Sequence, residues 1–193
     1  MLDSNIRLVG KQVYLRPITE KIEDTENIIR WRNSEVVRPY FIYQEPFTKE
    51  GHETWLKSMI MTEKGHQFIV CKKEDDKPIG SIFFRDIDHK NQKAEYGMFL
   101  GEEAEKGKGI GCEIATLLSD FGFQVLNFHK ITARILADNK ASLYSNFKAG
   151  FVQEGCLKDD VIINGKFRDV ILVAKYNQKD DSIALGEKNE KKD

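Results

Sequence analysis

The segment Lys106-Gly107-Lys108-Gly109-Ile110-Gly111 sets three glycines on alternate positions, with two cations among them, just before the apolar stretch Cys112–Val125. Glycine lets a chain turn tightly and lets a ligand approach the backbone closely. A helix that starts behind such a turn presents unpaired N–H groups and the positive end of its dipole. Together these make an anion site suited to a pyrophosphate, and Lys106 and Lys108 add positive charge beside it. Two familiar phosphate loops are excluded. No window reads Gly-x4-Gly-Lys-Ser/Thr, and the dinucleotide fingerprint Gly-x-Gly-x-x-Gly fails at Cys112 or at Ile114, depending on the starting glycine.

The remaining pattern, Lys106-x-x-Gly109-x-Gly111 at the head of a helix, resembles the acetyl-CoA loop of the GNAT acetyltransferases. Lys106 stands where that family usually has arginine or glutamine. Asp138-Asn139-Lys140-Ala141-Ser142 followed by Gly150-Phe151, and then the segment from Glu154 to Asp169 with Asn164-Gly165 at its turn, resemble the RimJ/RimL-like branch. That branch acetylates ribosomal-protein N-termini, and spermidine acetyltransferases share much of the same half. The resemblance spans roughly residues 11 to 176. It implies an α/β (α+β) fold: a single domain with a mixed, mostly antiparallel sheet flanked by helices, in the order β-α-α-β-β-β-α-β-α-β-β. It also implies acetyl-CoA as cosubstrate, no metal, and direct transfer of the acetyl group to a primary amine. The acceptor would be a protein N-terminus or a small amine, an amino sugar among them. A polyamine is the alternative, suited by the acids Glu102, Glu103, Glu105, Asp159 and Asp160, and a non-catalytic acyl-CoA-binding module is the rival from another class.

Roles follow from the resemblance residue by residue. The loop Lys106, Gly107, Lys108, Gly109, Ile110 and Gly111 would hold the pyrophosphate. The backbone of Met98, Phe99 and Leu100 would pair with the pantetheine arm and polarise the acetyl carbonyl, and Asn139 would bond a pantetheine amide or cap the following helix. Many relatives have a tyrosine proton donor four residues before the Gly-Phe glycine; here that position is Asn146. Tyr144, two residues earlier, lies about 200° round the helix and cannot replace it. In the RimL-like branch a serine three residues after the asparagine is the proposed donor, so the resemblance implies Ser142, one turn before Asn146, as donor to the thiolate, with Asn146 or a water. Glu95, in Ala94-Glu95-Tyr96-Gly97, is the expected base, with Asp160 second. Trp31, Arg32, Asn33 and Tyr40, with Arg38 and Tyr43, are expected to line the acceptor side, in a cleft between the first two helices and the final hairpin. The aromatic run Pro39–Phe47 suits a dimer interface equally, so monomer and homodimer both stay open.

These residues need elements to hold them. Alternation predicts strands at Val13–Ile18, Gln67–Lys72, Ile79–Ile87, Lys93–Leu100 and Lys130–Ala137. Helical spacing predicts Ile22–Trp31, a helix capped by Thr48 that runs to about Met61, Ile110–Val125, and Ala141–Ala149 closed by Gly150. Asn164-Gly165 predicts a two-residue hairpin turn. From 177 onward the chain is charged and is expected to form a mobile tail.

Composition narrows the class. With 30 basic and 31 acidic residues the formal charge is −1, which argues against a nucleic-acid coat or a polybasic membrane anchor. No apolar run has the length of a signal peptide or membrane span. Cys71, Cys112 and Cys156 fit neither a disulfide framework nor a zinc site, and a reducing cytoplasm is expected. The four histidines lack ligand spacing.

Overall fold

The computed structural model describes residues 2–178 except residue 4; the expected tail, beyond 178, lies outside the described residues. One eight-stranded sheet organises the chain, in the order β1-β2-β3-β4-β5-β6-β8-β7. Its strands are β1 (Leu8–Val9), β2 (Val13–Pro17), β3 (His66–Lys72), β4 (Pro78–Asp88), β5 (Lys93–Leu100), β6 (Lys130–Leu136), β7 (Val152–Ile163) and β8 (Lys166–Tyr176). Every neighbouring pair is antiparallel except β5 with β6. The helices are α1 (Ile22–Asn33), α2 (Lys49–Trp55), α3 (Ile110–Gln124) and α4 (Lys140–Lys148). The expected order holds with one addition, the two-residue β1.

The sheet separates two cores. Along β3 the residues Phe68 and Val70 face α3, while Ile69 and Cys71 face α1 and α2, so the strand is apolar on both sides. The first core packs Ile114, Leu118 and Phe121 of α3 against Phe68 and Phe84; the second gathers Trp31, Ile28, Leu56 and Phe99. α1 is fastened to β2 by Asp24. That buried carboxylate accepts from Arg16 at 2.8 and 2.6 Å and from the backbone and hydroxyl of Thr19. Burial pushes its pKa up, but these donors outweigh burial and hold it below the ordinary carboxylate value.

Thr48 caps α2 as expected, accepting from Gly51 N at 3.1 Å. The helix then passes into a π-helical turn, Leu56–Ile60. The Asn164-Gly165 turn has φ of 52° and 73° at its two residues, the left-handed pair that a tight hairpin requires. Among the described residues no helix is long and apolar enough to cross a membrane.

Trp31 is expected at the acceptor site but is fully buried beneath it. Its indole N–H donates to Glu102 Oε1 at 2.9 Å, and its ring lies where a Cβ on Gly101 would stand. Gly101→Ala would therefore force the indole or the end of β5 aside, at a cost of about 2–3 kcal/mol. Chemical denaturation checks this, and an unchanged midpoint would refute so close an approach.

Candidate active site

The glycine loop divides its labour unevenly. Gly107 and Gly109 have φ of 78° and 81°, and no atom lies within 4 Å of where their Cβ atoms would be. Gly109 is the N-cap of α3. The first helical bond runs from Glu113 N to Gly109 O, so the N–H groups of Ile110, Gly111 and Cys112 have no acceptor within the helix. Gly111 has ordinary helical geometry and serves packing instead: a Cβ there would sit 2.9 Å from Ser145 Oγ on α4. Glu113 anchors the helix start to β2, accepting from Gln12 N at 2.9 Å. The lysines are less devoted to the loop than expected. Lys108 Nζ pairs with Glu105 at 3.0 Å, and Lys106 Nζ donates to Val36 O at 3.1 Å beside the Tyr40 ring. The anion site is thus made chiefly by backbone.

Strand β5 supplies a second backbone edge. It pairs with β6 only over Lys93–Glu95 against Lys130–Thr132, although β5 continues to Leu100 and β6 to Leu136. Gly101 N donates to Ile79 O at 2.8 Å, so by alternation Phe99 also turns its backbone toward β4. Met98 and Leu100 turn theirs toward the gap. This corrects the expectation for Phe99: its backbone is committed to β4 and its side chain to the second core.

Helix α4 closes the gap from the first-core side. Asn139 is its N-cap, accepting from Ser142 N at 3.2 Å. Ser142 is half-buried, and its hydroxyl has no protein partner among the described residues. Asn146 has both polar atoms of its side chain engaged within the protein. Its Oδ1 accepts from the Tyr96 hydroxyl and its Nδ2 donates to Ser142 O at 2.9 Å, so a buried amide bridges α4 and β5. Tyr96, first residue beyond the last β5–β6 pair, carries no local sequence signal of this role. Burial holds its phenol well above the ordinary value. Tyr144 points outward, 68% exposed.

On the opposite face lies the aromatic end of the cleft. Tyr40, Phe41, Ile42 and Tyr43, from the connection between α1 and α2, stand across from Phe83, Arg85 and Glu95. Glu95 is ion-paired with Arg85. Burial alone would lower the Arg85 pKa, but the Glu95 hydrogen bond and charge raise it above the ordinary value. Loop, strand edge, α4 and aromatic segment all line one cleft of about 900 Å³.

Besides the buried Trp31, four expected residues stand outside it: Asp160, Asn33, Arg32 and Arg38, the last of which donates to Gln44 O at 3.0 Å. Asp160 pairs with Arg134 at 2.6 Å, and no residue of the β7–β8 hairpin lines the cleft. Asn33 staples the connection, exchanging two 2.8 Å bonds with the Phe47 backbone. Arg32 is stacked between Phe41 and Phe47, 3.8 and 4.5 Å from their ring centres.

The family profile described as the acetyltransferase (GNAT) domain matches residues 12–152. This chain is a GNAT acetyltransferase. The probable N-acetyltransferase YjcK of Bacillus subtilis (strain 168) is 30% identical over 90% of this chain and 99% of its own. Spermidine N(1)-acetyltransferase of Escherichia coli (strain K12) is 28% identical over 82% of this chain and 83% of its own. In fold, the spermidine N-acetyltransferase from Vibrio cholerae, solved in complex with CoA and spermine, superposes with a TM-score of 0.78 at 24% identity, covering 86% and 96% of the two chains. The relatives also include a ribosomal-protein-serine acetyltransferase, which agrees with the RimJ/RimL-like branch.

The GNAT chain is an N-acetyltransferase that uses acetyl-CoA. Its residues fit that cosubstrate. The open space at Gly107 and Gly109 and the unpaired amides of α3 suit a pyrophosphate, and the free edge of β5 suits an amide-bearing arm. A methyl group at Gly109 would stand in that cradle on a left-handed backbone. Gly109→Ala should weaken acetyl-CoA binding at least about tenfold, while the strained φ costs stability only about 1–2 kcal/mol. Calorimetric titration beside thermal denaturation separates the two; unchanged affinity would remove Gly109 from the cradle.

Proposed function

We propose that the acceptor is a primary amine, a peptide N-terminus or a small amine such as an amino sugar, which enters between the aromatic segment Tyr40–Tyr43 and strands β4 and β5. The observation that carries this reading is the continuity of the cleft. The glycine loop, the Met98 and Leu100 edge, Ser142 and Glu95 share one space with those aromatic rings. Acetyl-CoA bound there supplies an activated acyl thioester.

The chain's part is positioning and proton management. The N–H groups that β5 turns into the gap polarise a carbonyl laid along it. Glu95, oriented by its ion pair with Arg85, accepts the acceptor's proton directly or through one water. Ser142, on the other face near the N-terminus of α4, supplies a proton to the departing thiolate. Asn139 fixes the start of that helix, and Asn146 with Tyr96 fixes its distance from β5. Asn146 is a positioning residue in this reading.

A polyamine acceptor is the second reading, favoured by the likeness to spermidine acetyltransferases. Of the acids that would attract a polycation, Glu102 is held by Arg30 and Trp31, Glu105 by Lys108 and Asp160 by Arg134.

The roles are separable by kinetics. Ser142→Ala and Glu95→Gln should each lower kcat about 10²-fold with acetyl-CoA affinity unchanged, the usual loss for a general acid or base. A variant that keeps kcat within about twofold of the wild type loses its assigned role.

A further inference from the structure

Arg32 is a cation without a counter-charge. Arg16, Arg30, Arg85, Arg134 and Arg168 each meet a carboxylate. Arg32 and Arg38 meet none among the described residues; exposed Arg38 donates to Gln44 O, whereas the Arg32 guanidinium lies against the rings of Phe41 and Phe47. Its Nε is buried without a hydrogen bond. The only other buried side-chain nitrogens so orphaned, among the described residues, are the two of His52. The His52 ring meets Phe47 edge-on at 6.0 Å, so all three atoms flank one phenyl ring. Such groups are rare in a folded interior, and their clustering at one place asks for a reason.

Burial and the nearby charge of Arg85 lower the Arg32 pKa to about 10, which still leaves it charged at neutral pH. Phe41, one wall of its sandwich, and Arg85 both line the acceptor end of the cleft. There the charge of Arg85 is offset by Glu95, and that of Arg32 is not. Stacking covers the two faces of a guanidinium and leaves its in-plane N–H edge, the edge that matches an oxyanion.

We propose that Arg32 is the counter-charge for an anionic acceptor: the amine acetylated here also carries a carboxylate or a phosphate, which is drawn to the Phe41 end of the cleft. This deepens the acceptor reading above and rests on it. It also accounts for a half-buried arginine whose Nε has no partner and whose terminal nitrogens meet no carboxylate: a ligand's oxyanion completes it.

The test uses matched acceptors with the full chain and acetyl-CoA: glucosamine against its 6-phosphate, a neutral tripeptide amide against one with an acidic second residue, and spermidine as cationic comparator. The anionic member of a pair should be preferred at least about tenfold in kcat/KM, mostly through KM. The phosphate and peptide arms tell which oxyanion is used. In Arg32→Met the anionic-to-neutral ratio should fall to near one, and Arg32→Lys should restore part of it. If Arg32→Met fails to fold, Arg32→Lys and Arg32→Gln carry the comparison.

Binding decides the inference apart from turnover. The anionic amines should raise the melting temperature of the CoA-loaded wild type and not that of Arg32→Met. An equal rise in both, no rise in either, a preference for spermidine, or a ratio that survives Arg32→Met overturns the inference. If the anionic amines bind through Arg32 but none is acetylated, the acceptor reading falls and the anion site stands.

Discussion

Everything in the site depends on β5 and β6 parting after three paired residues. β6 is not free to follow its parallel neighbour, because it stays paired with β8 along its whole length, from Lys130 against Tyr176 to Leu136 against Val170. β5 stays equally bound to β4, from Glu95 to Leu100. Each strand therefore keeps its antiparallel partner and gives up the other. Unpaired backbone groups inside a protein are costly, so an open edge in the middle of a sheet is retained only where something else can satisfy it. An extended ligand with amides of its own meets that need.

The parting also decides which side chains meet. At β5 the chain alternates between the two faces, so Glu95 and Gly97 belong to the acceptor face while Tyr96 and Met98 belong to the α3–α4 face. A Cβ on Gly97 would stand 2.6 Å from the Phe83 ring, and its absence lets that ring lie close against β5. Two contacts hold the far wall at a set distance. Gly111 admits Ser145, bringing α3 against α4, and the Tyr96–Asn146 bond ties α4 to the strand at the point of parting. Lys106 then joins the loop to the carbonyl of Val36, linking the cosubstrate side to the segment that walls the acceptor side.

Much of this was legible in the sequence because it is local. Strand alternation, the Thr48 cap, the Asn164-Gly165 turn and the glycine loop each declare themselves within a few residues. What was not legible is what depends on distant partners. Trp31 and Arg32 are adjacent and both suggest a ligand pocket, yet one is sealed beneath Gly101 and the other is stacked between Phe41 and Phe47. Asn33 looked like a binding residue and is a staple. The three glycines of the loop look equivalent in sequence, but only two adopt left-handed backbone. Asn146 at a position where relatives have tyrosine read as a missing acid; the phenol that bonds to it comes from Tyr96, 50 residues away in the chain. The end of α2 was not legible either: one π-helical turn shifts the apolar register by a single residue, too little for periodicity to reveal in so short a stretch.

The most direct test of this account is amide hydrogen exchange with and without acetyl-CoA. Protection should rise at Met98 and Leu100, on the open edge of β5, and at residues 107 to 112 around the start of α3. Phe99, already bonded to β4, should change little. Protection that appears elsewhere, or equally at Phe99 and its two neighbours, would contradict the claim that the parting of β5 and β6 makes the site.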